Sequence, residues 1–171
     1  MQFGRTDDLT GVDFSLPPVD PRGFAVLARA RRPGPEEWLT VGAPVWARRD
    51  FVGRLYPAGT SGRGLLRAYA ARLGAIELNA TYYALPSAET VAAWAEDTPE
   101  SFRFCPKVPQ SVTHDRALED AGALMEAFWT RLAPLGPRLG PALLPLPPWF
   151  GPERVGQLAP FLHGFPRAGR I

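Results

Sequence analysis

Glu77, Lys107 and His114 bring together a carboxylate, an ammonium and an imidazole, the groups from which a base, an acid and a proton carrier are made. Lys107 stands out by composition: of nineteen basic residues eighteen are arginine, so a compact, titratable ammonium occurs at one position only. A lysine beside a carboxylate can act as acid, base or imine-forming nucleophile. It can also be a structural ion pair, and the residue types alone leave both readings open. Asn79 and Thr81 could orient a hydroxylated or anionic ligand, or cap a strand. Trp46, Tyr56, Tyr82 and Tyr83 could stack on a sugar or base, or simply pack. His114 lies between Thr113 and Asp115, where a loop imidazole could shuttle protons. His163 reads as structural.

Several chemistries find no support. Two distant histidines and one cysteine, Cys105, make no zinc- or iron-type ligand cluster, so no metal is expected. There is no phosphate loop, dinucleotide-binding glycine run or nucleophile-elbow serine, hence no expected cofactor. A formal charge of +2 with arginines spread along 171 residues gives no basic stripe for nucleic acid. No apolar run approaches a membrane span, residues 1–9 do not read as a signal peptide, and a single cysteine fits a reducing compartment, so a cytoplasmic location is expected.

The elements that must position these groups follow a strand-then-helix rhythm. Residues 1–36, rich in proline, read as a leader and residues 37–171 as the folded domain. Strands are expected over Leu39–Val45, Ala75–Thr81, Phe102–Val108 and about Pro141–Leu146. Helices are expected from Gly64 to Leu73, from a Ser87 cap with Glu89 in the first turn, from an Asp120 cap to Leu132, and from Pro152 to Leu162. Strands spaced by a helix are βαβ units and imply a parallel sheet, open or closed.

Alternation within the strands narrows the choice. Ile76, Leu78 and Ala80 share one face and Glu77, Asn79 and Thr81 the other. Phe102, Phe104, Pro106 and Val108 alternate with Arg103, Cys105 and Lys107. A central strand covered by helices on both faces is apolar on both. A polar face on two successive strands therefore points into a barrel interior, with Glu77 and Lys107 as neighbours there.

The runs that carry these faces resemble a known family. Ile76-Glu77-Leu78-Asn79-Ala80-Thr81-Tyr82-Tyr83 with Leu85-Pro86-Ser87, then Phe102 to Pro109 with Thr113-His114, then Leu139-Gly140-Pro141 to Leu146-Pro147-Pro148, are similar in order and spacing to segments of the domain of unknown function 72 (YecE-like) family. Weaker agreement extends to Gly42, Trp46, Gly53, Tyr56 and Pro57. The resemblance implies an α/β fold of parallel TIM-barrel type, truncated here to about four β/α units because its later strands would begin where the sequence ends. It implies no established activity. Two departures stand out: Gly42-Ala43-Pro44-Val45-Trp46 lacks two hydroxyls of the family's opening strand, and Pro145 replaces a glutamine.

The expected protein is thus a barrel with Glu77, Lys107 and His114 as catalytic candidates. Asn79, Thr81, Tyr83 and Trp46 would bind a small polar metabolite. Whether it is an enzyme is left open by the sequence. The alternative is a non-catalytic fragment or binding module whose exposed edge strands pair with another chain, by self-association or with a missing C-terminal half.

Overall fold

The computed structural model describes residues 39–164, the helix α1 (Pro21–Arg29) and Thr10, Asp13, Ser15 and Pro18. The chain divides into two units at Trp38–Leu39. Most of the leader, and the chain end at residues 165–171, lie outside the described residues. The N-terminal unit contains an element not anticipated from the sequence. Pro21 opens α1, a position where its missing N–H is no loss and its fixed φ suits a helix.

In the second unit the order is β1 (Gly42–Ala43), α2 (Gly64–Ala70), β2 (Ala75–Leu78), α3 (Ala80–Tyr83), α4 (Ala88–Glu96), β3 (Arg103–Pro106), α5 (Gln110–Thr113), α6 (Gly122–Leu132) and α7 (Val155–His163). The strands form one parallel sheet in the order β1-β2-β3, with Gly42 opposite Ala75 and Ile76 opposite Phe104. Gly42 is required at its position, because a Cβ there would run into the Ala75 carbonyl.

The sheet's apolar face carries the core. Ile76, Leu78, Phe102, Phe104 and Val108 are at most 1% exposed and pack with Leu66 and Tyr69 of α2, Val91 of α4 and Phe128 and Leu132 of α6. Trp94 stacks on Phe104 and Tyr69 meets Phe102 edge-on. The Tyr69 hydroxyl reaches the sheet itself, accepting from Ala43 N (2.6 Å) and donating to Ala75 O (2.7 Å), so α2 fixes the entry of both β1 and β2.

Several expectations need correction, among them the first strand, which holds only Gly42–Ala43 of the expected Leu39–Val45. β2 stops at Leu78 because Thr81 bonds back to the Leu78 carbonyl and turns the chain into α3, so Asn79 and Thr81 leave the strand row. β3 is likewise shorter than expected. Asp120 does not cap α6: it sits at φ 46°, in a left-handed stretch with Ala117 and Leu118, and the cap position is Ala121. The fourth strand is no regular strand. Parallel bridges from Leu139 to Phe104 and from Leu143 to Lys107 lay residues 139–143 along β3, but Pro141, Pro145, Pro147 and Pro148 remove the donors a ladder needs. Among the described residues the sheet therefore has three strands and is not closed.

Candidate functional site at the C-terminal ends of the strands

The polar face of the sheet is built by register. Glu77 stands opposite Cys105, and Lys107, one residue beyond β3, sends its main-chain N–H to Leu78 O at 3.4 Å. The two side chains meet: Lys107 Nζ lies 2.6 Å from Glu77 Oε1, with 27% and 37% of each side chain exposed. This is an ion pair in a partly open place, neither sealed in the core nor dissolved at the surface.

Next to it lies a second polar contact. The Tyr82 hydroxyl of α3 is 3.3 Å from each ring nitrogen of His114, the residue that ends α5, and His114 Nδ1 is 2.9 Å from Thr113 Oγ1. Burial pushes the Tyr82 phenol above its ordinary value, with the Tyr83 and Asp115 charges adding to the effect and Lys107 opposing it. Tyr82 is thus a neutral hydrogen-bonding group within the electrostatic reach of Lys107. Cys105, on β3 opposite Glu77, has its thiol pushed up by burial and then by Glu77, with Arg103 acting the other way.

The remaining sequence-derived residues fall in three places. Asn79 Nδ2 donates to Pro44 O at 3.3 Å, and Asn79 and Trp46 line a hollow of about 200 Å³ with Glu77 at its edge. The ring of Trp46 also packs edge-on to Trp94, tying the hollow to the core. Thr81 is fully buried, donating toward Leu78 O (2.9 Å) and Lys107 O (2.8 Å), which holds the ends of β2 and β3 together. Tyr83 is 80% exposed. The structure therefore brings together Glu77 with Lys107 and His114 with Tyr82. It puts Asn79 and Trp46 in the adjoining hollow, and sets Tyr83 and Thr81 apart. Tyr82 was read from the sequence only as one of several stacking aromatics. What selects it over Tyr83 is the helical turn of α3, which the alternation rule did not contain.

No group of three or more His, Cys, Asp or Glu gathers among the described residues, and no helix there is long and apolar enough to cross a membrane.

A parallel sheet with its apolar face buried under helices and its polar groups at the strands' C-terminal ends defines a parallel α/β protein that keeps its candidate site where this class keeps it. The chain belongs to the family described as "Protein of unknown function DUF72", whose model matches residues 40–171. It is 40% identical over 128 residues to the UPF0759 protein YecE of Escherichia coli, covering 75% of this chain and 44% of that protein. To YunF of Bacillus subtilis it is 31% identical over 118 residues, 66% of this chain and 41% of the relative. A crystal structure of a DUF72 family protein from Thermotoga maritima matches with TM-score 0.62 at 30% identity, over 74% of this chain and 52% of that one. Another, from Enterococcus faecalis, gives 0.61 at 27%, over 75% and 47%. The chain thus spans less than half the length of the curated relatives it matches.

Proposed function

We propose that the chain is part of a TIM-type parallel barrel, working in the cytoplasm, whose strand-end cluster performs cofactor-free acid/base or lysine chemistry on a small polar metabolite. The observation that carries this reading is the 2.6 Å Glu77–Lys107 pair at the C-terminal end of the sheet, left partly open beside Tyr82 and His114. In the acid/base version the Glu77 carboxylate takes a proton from the substrate, and the ammonium of Lys107 offsets the negative charge then left on it. Tyr82, held neutral, donates a hydrogen bond to the same charge, and His114 returns protons from solvent. Asn79 and Trp46, in the neighbouring hollow, contact the rest of the ligand. The single free cysteine among the described residues agrees with a reducing compartment.

Because Lys107 is the only lysine, amine labelling reads it directly once peptide mapping has separated the N-terminal amine. Reductive methylation of the folded chain should label Lys107 at a measurable rate, and Glu77→Gln should raise that rate by freeing the amine from its partner. A Lys107 that labels only in denaturant, with the Glu77→Gln rate unchanged, would remove the pair from any catalytic role.

A further inference from the structure

We propose that Lys107 is an imine-forming lysine whose substrates are short, uncharged aldehydes or ketones seated in the hollow beside Glu77. The inference rests on the site reading above and takes its lysine branch. Lys107 is the sole lysine, and its side chain is 27% exposed, open enough for a carbonyl carbon to reach Nζ and sheltered enough to hold it there. The main chain beneath it is pinned on two sides: Lys107 O accepts from Thr81 Oγ1 at 2.8 Å, and Val108 N donates to Leu143 O at 2.8 Å. The amine is therefore presented from a fixed base. Cys105, the neighbouring nucleophile, is held as the thiol by burial and by Glu77, which leaves the carbonyl to the amine.

The contact with Glu77 suits this step. At 2.6 Å, Glu77 Oε1 takes a proton from the ammonium. The freed Nζ attacks the carbonyl carbon, the C=O π pair moves to oxygen, and that oxygen takes the proton the nitrogen sheds, giving a carbinolamine. Glu77 then returns its proton to the hydroxyl, the C–O bond breaks, water leaves, and the nitrogen lone pair closes C=N. Ammonium and carbonyl have become iminium and water. One positive charge faces the carboxylate before and after, so the ion pair is kept through the reaction. The rest of the substrate sits in the hollow of about 200 Å³ that Glu77 shares with Trp46 and Asn79. The other lining side chains, from Pro44 and Val45 to Ala80, are apolar, and no arginine, lysine or histidine lines it among the described residues. An anionic group placed there meets the Glu77 carboxylate with no cation of the lining to offset it, whereas a short uncharged one meets apolar walls and one amide.

Incubation of the full chain with glycolaldehyde or glyoxylate, alike in size and different in charge, followed by cyanoborohydride reduction and peptide mapping, tests the proposal. The N-terminal amine is the internal reference: with an ordinary pKa of about 7.7 to 8.0 against about 10.4 for a lysine side chain, it outpaces an unassisted lysine at neutral pH. The expected result is a glycolaldehyde adduct at Lys107 that saturates with concentration and exceeds the N-terminal adduct. For glyoxylate the ratio of Lys107 to N-terminal adduct should be at least about tenfold lower, one decade being about 1.4 kcal/mol. Ala47→Phe, an exposed substitution that fills the hollow, should abolish the glycolaldehyde preference for Lys107 and leave its methylation by formaldehyde unchanged. The proposal is overturned by a Lys107 slower than the N-terminal amine toward glycolaldehyde, by equal ratios for the two carbonyls, or by an Ala47→Phe chain that traps as before or loses methylation to the same extent. Where Lys107 of the unsubstituted folded chain still methylates, only the imine falls and the acid/base reading stands; where it methylates in denaturant alone, the site reading falls with it.

Discussion

Glu77 and Lys107 lie in a place open enough for water to screen them, so their attraction holds little folding free energy even at 2.6 Å. Pairs of this exposure contribute about 0 to 1 kcal/mol. Thr81 is the opposite case: uncharged and fully buried, it shares its one hydroxyl proton between the carbonyls of Leu78 and Lys107, and since Leu78 O also accepts from Lys107 N, its loss falls chiefly on the Lys107 carbonyl. Urea denaturation should show Glu77→Gln costing at most about 1 kcal/mol and Thr81→Val about 1 to 3 kcal/mol. The reverse order would mean that the ion pair is structural. The difference also marks what the sequence can convey. Glu77 and Lys107 were legible as neighbours because strand alternation holds up to Leu78 and through Lys107. The role of Thr81 was not, because it depends on a carbonyl twenty-six residues away that no local pattern encodes.

Asp97 ends α4, where the negative end of the helix dipole is unfavourable to a carboxylate. The opposition is overcome from outside the helix. Arg63 holds Asp97 with two nitrogens, at 2.7 and 2.9 Å, Arg67 adds a third contact at 2.8 Å, and the carboxylate is only 2% exposed. The clamp joins α2 to α4 across the β2 crossover, and α2 in turn positions β1 and β2 through Tyr69. Asp97→Asn should therefore destabilise by about 1.5 to 3 kcal/mol, the range for hydrogen bonds to a charged group. Ser87→Ala, which removes the bond from Thr90 N to the cap hydroxyl, should cost about 1 kcal/mol. Equal midpoints for the two variants in thermal unfolding would refute the clamp's importance. The Ser87 cap was readable because capping is a local pattern. The Asp120 cap and the fourth strand were misread because a left-handed turn and the clustered prolines overrode residue types that otherwise fit.

At the scale of the whole sheet-bearing unit, these buried groups set limits on pH from both sides. The Asp97 carboxyl is held below its ordinary value chiefly by its hydrogen bond to Arg63, with desolvation opposing and Arg67 adding. The unfolded chain then binds the proton first as pH falls, so this stability is fully present above about pH 4 to 5 and is lost as acid reaches the folded carboxyl. The alkaline side has the opposite sign. Burial pushes up Tyr69, against the Ala43 N–H bond, and Tyr56, with Tyr69 adding, and it pushes up the Cys105 thiol with help from Glu77. Unfolded thiols and phenols ionise near about 8.5 and 10, before the folded ones do, so stability is complete below those values and declines as pH rises through them. Urea midpoints taken from about pH 2 to 11 should show a plateau between roughly 5 and 8, with a fall on each side. Asp97→Asn should lower the plateau and flatten the acid fall, because the group that must be protonated is gone. Cys105→Ser should delay the first alkaline loss without touching the acid side. An acid limb of unchanged slope in Asp97→Asn would assign acid unfolding to other carboxylates and reduce the α2–α4 clamp to one contact among many.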